Sequence, residues 1–216
     1  MFSFEIRHFR PLDRTAVFKL AADTAFFGDA LEHYFEDRAL FCEAFCAYYT
    51  DYEPQHAWVA EREHTVVGYL LGCVNTQTMN RIVARRIFPA LVVGLMSGEY
   101  HLGKQSLRYL WGLFEAMLKR EMLHPDLERF PAHLHLNVQA DQRGGGIGKA
   151  LLEHYLAQLR AEGVKGVHLK TTSENEVACF LYEKVGFNLL EARRTGLWKP
   201  WLGRAIENRC YAISLQ

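Results

Sequence analysis

Much of what this sequence could do is excluded by what it lacks. It has no excess of charge, since 25 Lys and Arg balance 25 Asp and Glu. Without net charge there is no global electrostatic case for binding nucleic acid or an anionic membrane. No apolar run approaches the length of a membrane span. The nearest, from Ile87 to Met96, is too short and holds Pro89. The start, Met1-Phe2-Ser3-Phe4-Glu5-Ile6-Arg7, has no secretory leader pattern. The five cysteines, Cys42, Cys46, Cys73, Cys179 and Cys210, are odd in number and scattered. Cys42 and Cys46 would share a helix face, but no second pair completes a zinc site. The expectation is a cytoplasmic protein with reduced, buried thiols and no metal.

What is present is ample core material. Half of the 216 residues are hydrophobic, which argues against disorder and for one domain spanning residues 1–216. The stretch around which the rest is organised is Arg143-Gly144-Gly145-Gly146-Ile147-Gly148-Lys149. It follows an apolar run, Leu134-His135-Leu136-Asn137-Val138, and opens a helical pattern from Lys149 to Ala161. A strand, a glycine turn and a helix N-terminus form an anion site, because backbone N–H groups and the helix dipole converge there. Two familiar phosphate motifs fail on spacing. For a P-loop, Arg143 stands where the first Gly belongs and Ala150 replaces the Ser or Thr. For a dinucleotide fingerprint starting at Gly144, the third Gly position is Lys149.

Periodicity predicts the remaining elements. Ser3 to Phe9 alternates as a strand. A helix follows Pro11-Leu12-Asp13, with Leu12, Thr15, Ala16 and Leu20 in helical period, and Gly28 and Asp29 end it. A second helix is expected from Ala30 to Tyr49. His56–Glu61 and Thr65–Asn75 read as a hairpin joined through Arg62-Glu63-His64. Residues 74–130 then lose strand character. Arg81 to Met96 is helical but kinked or split at Pro89, a loop runs from Gly98 to Gly103, and Lys104 to Met122 is a strong helix. This is a helical insertion between the third and fourth strands. Strands are expected again over 132–138, 164–172, 187–194 and 208–215, with amphipathic helices at 150–160 and 175–184. The fold class is α/β, a mixed sheet flanked by helices.

A second motif lies about thirty residues past the glycine turn: Asn175-x-x-Ala178-x-x-x-Tyr182-x-Lys184-x-Gly186-Phe187. Together with Arg143-x-x-Gly146-x-Gly148, in this order and separated by one strand, it resembles the acyl-CoA site of the GNAT N-acyltransferase superfamily. The matching segment runs roughly from residue 132 to 190. The resemblance implies a splayed sheet, acetyl-CoA as co-substrate and an amine as acceptor. It implies that backbone N–H groups from Arg143 through Gly144, Gly145, Gly146, Ile147 and Gly148 to Lys149 bind the pyrophosphate. The backbone of Leu136 and Val138 would pair with the pantetheine arm as an added strand. Asn175 would contact that arm, Phe180 would pack beside the cofactor, and Tyr182 would protonate the departing thiolate.

The chemistry asks for little more. Aminolysis of a thioester needs positioning, a polarised carbonyl, proton removal from the amine and an O–H donor for the thiolate. Tyr182 could instead be a helix tyrosine packed on Phe187. For the base, His133 and His135 stand two apart on a strand and face one way. His135 is the first candidate and Glu61 another, against packed or surface roles for each. Chelation of metal by the histidine pair lacks a third ligand. The insertion loop from Ser97 to Gly103 is read as a lid over the acceptor pocket. Its alternatives are a packing extension or a homodimer contact through Trp111 and Phe114. Arg81, Arg85 and Arg86 are either a solvated face or a partner for the CoA 3′-phosphate. Trp198 and Trp201 could line the acceptor pocket or cap the core. Cys179, inside the motif helix, is a poor nucleophile candidate. The reading is an N-acetyltransferase moving an acetyl group from acetyl-CoA to a small-molecule amine by direct attack. The alternative is a non-catalytic acyl-CoA-binding module that uses the insertion as a partner surface.

Overall fold

The computed structural model describes residues 4–27 and 31–216. The expected break at Gly28 and Asp29, and the start of the second helix at Ala30, lie outside the described residues. Seven strands form one sheet: β1 (Glu5–His8), β2 (Ala57–Arg62), β3 (Thr65–Cys73), β4 (Ala132–Val138), β5 (Gly166–Thr172), β6 (Asn188–Thr195) and β7 (Ile206–Ser214). Their order is β1-β2-β3-β4-β5-β7-β6, and every pair is antiparallel except β4 with β5. β2 and β3 join through Glu63 and His64, both at positive φ, as a tight hairpin requires.

The parallel pair decides the architecture. β4 and β5 pair only at Ala132 with Val167 and at His133 with His168. Beyond His133 the two strands part, while β4 stays paired with β3 as far as Val138. The result is a splayed sheet.

One face of the sheet is covered by α6 (Ile147–Ala161) and α7 (Glu176–Val185). In α6 the residues Leu151, Leu152, Tyr155, Leu156 and Leu159 recur at helical spacing, and all are buried. Each contributes roughly 1.5–3 kcal/mol by its burial. Tyr155 reaches the sheet because Gly72 lies beneath it: a Cβ there would stand 2.3 Å from the ring. Its hydroxyl donates to the carbonyls of Cys73 and His133, which ties α6 to β3 and β4.

The other face is covered by α1 (Arg14–Asp23) and α2 (Arg38–Ala47). The expected long second helix is split. Leu31–His33 is a 3₁₀ turn, Asp37 caps α2 by accepting from the Leu40 N–H, and Tyr48–Tyr52 is a π turn. Leu12, expected in the apolar stripe of the first helix, is 93% exposed in a 3₁₀ turn ahead of α1.

The insertion comprises α3 (Thr76–Ile82), α4 (Phe88–Ser97) and α5 (Lys104–Leu118). Pro89 neither breaks nor splits the first stretch. A π segment at Val83–Ile87 widens the turn before it, where a proline would otherwise meet the carbonyl of residue i−4. In α5 the small face with Ser106, Tyr109 and Ala116 is buried. Leu107, Trp111, Phe114 and Leu118 face solvent.

Candidate functional site

Two cavities meet at the splay. The larger, about 570 Å³, lies between the end of β4 and the N-termini of α6 and α7. The smaller, about 300 Å³, lies on the α1–α2 face. Leu136, Asn137, Arg143, Asn175 and Tyr182 line both, so the gap between β4 and β5 joins the two faces of the sheet.

The larger cavity collects nearly all the residues that the two motifs single out. Leu136, Val138, Arg143, Gly144, Gly146, Ile147, Gly148, Lys149, Asn175, Phe180 and Tyr182 line it; Gly145 does not. The turn is built for exposed backbone. Gly144 and Gly146 hold φ of 81° and 86°, a left-handed conformation that side chains disfavour. Gly146 occupies the N-cap of α6 and offers no side chain to the first helical turn. Among the described residues, the N–H groups from Gly144 to Lys149 have no protein acceptor. Unpaired donors at a positive helix end, with Arg143 and Lys149 alongside, fit a pyrophosphate. Val138 departs from the simple picture, because its carbonyl already accepts from Arg143 Nε at 3.1 Å. Asn175 caps α7 through Oδ1, accepting from the Ala178 N–H, so its amide group is what remains for a ligand. Phe180 is 67% exposed beside Lys184.

Tyr182 is 5% exposed, its ring packed against Phe187 and Tyr211. The packing alternative and the cavity position are therefore both true of it. Among the described residues its hydroxyl has no hydrogen-bond partner, and the side chain lines both cavities. Burial raises its phenol well above the ordinary tyrosine range. The hydroxyl therefore stays protonated and can donate.

The smaller cavity holds His135. Its imidazole is open to the cavity while protein surrounds it on the other sides. Burial, then the charges of His168 and Lys170, push it down to about 4, so it is neutral near pH 7. Among the described residues neither ring nitrogen is hydrogen-bonded. His133, two residues earlier, is fully engaged. Its Nε2 is 2.7 Å from the Tyr49 hydroxyl and its Nδ1 2.7 Å from Thr76 Oγ1. Thr76 Oγ1 donates to the Pro131 carbonyl, so Nδ1 carries the proton and Nε2 accepts from Tyr49. His133 thus has no free ring nitrogen with which to join His135 on a metal.

Three expectations are corrected here. Glu61 is no base: it bridges to Arg7 at 2.6 Å on the β1–β2 edge and lines neither cavity. The loop from Ser97 to Gly103 is no lid over the acceptor cavity. Tyr100 folds back onto Gly94, the His101 N–H donates to Asp37, and Gly103 abuts Glu36. Glu36 caps α5 by accepting from the N–H groups of Gln105 and Ser106 and from the Ser106 hydroxyl. Burial opposes its charge, yet these donors hold it down to about 2. Arg81, Arg85 and Arg86 are exposed on the insertion and line neither cavity, so they do not meet a phosphate there. Of the tryptophans, Trp198 lines the smaller cavity, while Trp201 donates to the His33 carbonyl in the neighbouring aromatic cluster.

Most of the wall of the smaller cavity escaped the sequence. It consists of Phe26, Phe27, Phe41, Phe45, Tyr69 and Trp198, with Lys170 on β5. Trp198 was expected there as one of two readings of its loop, and Phe41 and Phe45, one helical turn apart, carried only a helical period.

Comparison with known proteins bears on family and fold. A model of the Acetyltransferase (GNAT) family matches residues 16–187. A [Ribosomal protein bS18]-alanine N-acetyltransferase of Haemophilus influenzae is 41% identical over 71 residues, which are 32% of this chain. The chain spans 48% of that relative's length. The crystal structure of SsHAT superposes with a TM-score of 0.74 at 29% identity, over 99% of both chains. The structure of yncA from Salmonella typhimurium with its cofactor acetyl-CoA shares the fold at TM-score 0.59 and 13% identity, over 99% of this chain and 94% of that one.

Proposed function

This chain belongs to the acetyltransferase (GNAT) family, and we propose that it moves an acetyl group from acetyl-CoA to the primary amine of a small molecule by direct attack in a ternary complex. The observation that carries this reading is the place of Tyr182, a phenol without a hydrogen-bond partner among the described residues, lining both a phosphate-suited cavity and the cavity that holds the His135 imidazole.

The donor half of the reading rests on the glycine turn. N–H groups from Gly144 to Lys149, with Arg143 and Lys149, hold the pyrophosphate. The free β4 edge past His133 receives the pantetheine arm, helped by the Asn175 amide. Acetyl-CoA supplies the activated acyl group. In the acceptor half, His135 takes a proton from the incoming ammonium, directly or through one water. The amine nitrogen then bonds to the acetyl carbon and the carbon–sulfur bond breaks. Tyr182 gives its proton to the sulfur and recovers one from the nitrogen. One proton leaves for solvent through His135 and one ends on the thiol. A depressed His135 is a weak base, so much of the rate falls to positioning in the joined cavities.

Release of free CoA thiol with a panel of amines tests the reading. The panel includes a peptide with an N-terminal alanine, because one relative is named for a ribosomal-protein alanine. Turnover with a small amine is expected. If acetyl-CoA binds and no amine supports turnover, the chain is a binding module and the reading is wrong.

A further inference from the structure

We propose that the acceptor is an aromatic primary amine bearing a carboxylate, its ring held by the aromatic wall of the smaller cavity and its carboxylate by Lys170. This rests on the transferase reading and specifies its substrate.

The wall comes first. Phe26 stands 5.2 Å from Trp198 and 5.6 Å from Phe41, centre to centre, and Phe41 stacks on Phe45 at 4.5 Å. A continuous aromatic surface favours a flat ring in offset or edge contact. A cavity of about 300 Å³ suits one ring and a short arm better than a folded peptide.

The charges come second. The ladder of β4 and β5 ends at His133 and His168, and two residues further on each strand stand His135 and Lys170. The two therefore share a face across the splay, and Lys170 acts electrostatically on His135. Lys170 donates to the Leu123 carbonyl at 3.0 Å, which leaves two of its three N–H bonds uncommitted by that contact. Burial lowers its pKa, which Cys210 and Glu191 only partly offset. Arg143 adds a second cation to the cavity lining. Glu174 is the one carboxylate among the described lining residues, and it is bound to Arg204 and Ser173. A polyamine would find no free carboxylate here, whereas an anionic group meets Lys170. Its arrival also offsets the positive charge beside His135, so the acceptor strengthens the base that deprotonates it.

The test compares kcat/KM for an aromatic amino acid, its decarboxylated amine, a polyamine and an alanine-initiated peptide. The amino acid should lead its decarboxylated amine by about tenfold or more, the strength of a charge-assisted contact. In Lys170→Gln that ratio should collapse toward one, and Lys170→Arg should restore part of it. A preference for the polyamine or the peptide, or an unchanged ratio in Lys170→Gln, overturns the inference and leaves the transferase reading standing. Transfer to none of the four while acetyl-CoA binds overturns the transferase reading itself. The wild-type comparison decides the matter if Lys170→Gln does not fold.

Discussion

The imidazoles of His133 and His135 lie 5.9 Å apart and nearly perpendicular, yet they stand in opposite hydrogen-bonding states. His133 spends both nitrogens on Tyr49 and Thr76; His135 spends neither. The edge of the Tyr49 ring also approaches His135, at 5.5 Å, so one tyrosine holds the first histidine and steadies the second.

This division predicts different phenotypes. His135→Gln should lower kcat/KM roughly 100-fold, within the usual range for a general base. His133→Ala should instead cost about 1–3 kcal/mol of stability, because the buried Tyr49 hydroxyl keeps only its weak contact with Met79 Sδ at 3.6 Å. Steady-state kinetics beside thermal unfolding separates the two. Because His135 is held near 4, the acid limb of kcat/KM should fall below about pH 5. A limb at pH 6.5 would mean that another group is the base.

Tyr182→Phe should reduce turnover by at least about tenfold while acetyl-CoA affinity changes less than about threefold. Among the described residues no partner loses a hydrogen bond, so unfolding should shift by less than about 1 kcal/mol. Titration of acetyl-CoA and a thiol-release assay supply both numbers. Equal turnover in the two proteins removes the acid role.

Gly146→Ala should weaken acetyl-CoA binding through the backbone alone. A Cβ there meets nothing within 4 Å, but φ of 86° costs a side chain roughly 1–2 kcal/mol. Relief of that strain would turn the N–H groups away from the ligand. Calorimetric titration should show at least about tenfold weaker binding. Unchanged affinity would mean that the turn is not the phosphate cradle.

His56 should make stability depend on pH. Its Nε2 is 2.9 Å from Glu162 Oε2. Its Nδ1 is 2.9 Å from Glu53 Oε1, without the alignment of a hydrogen bond. Burial would lower its pKa, but the two carboxylates outweigh burial and raise it. A raised folded value means that the stabilisation is complete below about pH 6.5 and fades as pH rises through that value. Glu53 runs the other way. Burial opposes its charge, yet His56, Tyr48 and the Val74 N–H lower its pKa. Its contribution is present above about 4.5 and is lost as pH falls through its folded value. Denaturant unfolding should therefore peak between these limits. His56→Gln should remove about 1 kcal/mol or less of the basic-side decline, since Glu162 is partly exposed. An unaltered alkaline limb in that variant would clear His56 of the effect.

The glycine-turn cavity was legible because its information is local. Gly144 and Gly146 must take positive φ, Asn175 must cap α7, and the buried stripe of α6 recurs at helical spacing. Each follows from neighbours within a few positions, which a linear reading captures. The histidine pair was legible on the same grounds, since alternation along a strand assigns faces.

Most of the smaller cavity was not legible, because its parts come from distant segments. Phe26, Phe41, Tyr69, Lys170 and Trp198 meet only after α1 and α2 close over the splayed sheet. No spacing rule links residue 41 to residue 198. The insertion misled for the same reason. Its loop looked hinged between two glycines, but Glu36, more than sixty residues away, ties it to the α5 N-terminus. Local dihedral demands and helical period wrote the glycine-turn cavity into the chain order. Long-range packing alone brought an aromatic wall, a free imidazole and a lysine to the far side of the gap between β4 and β5.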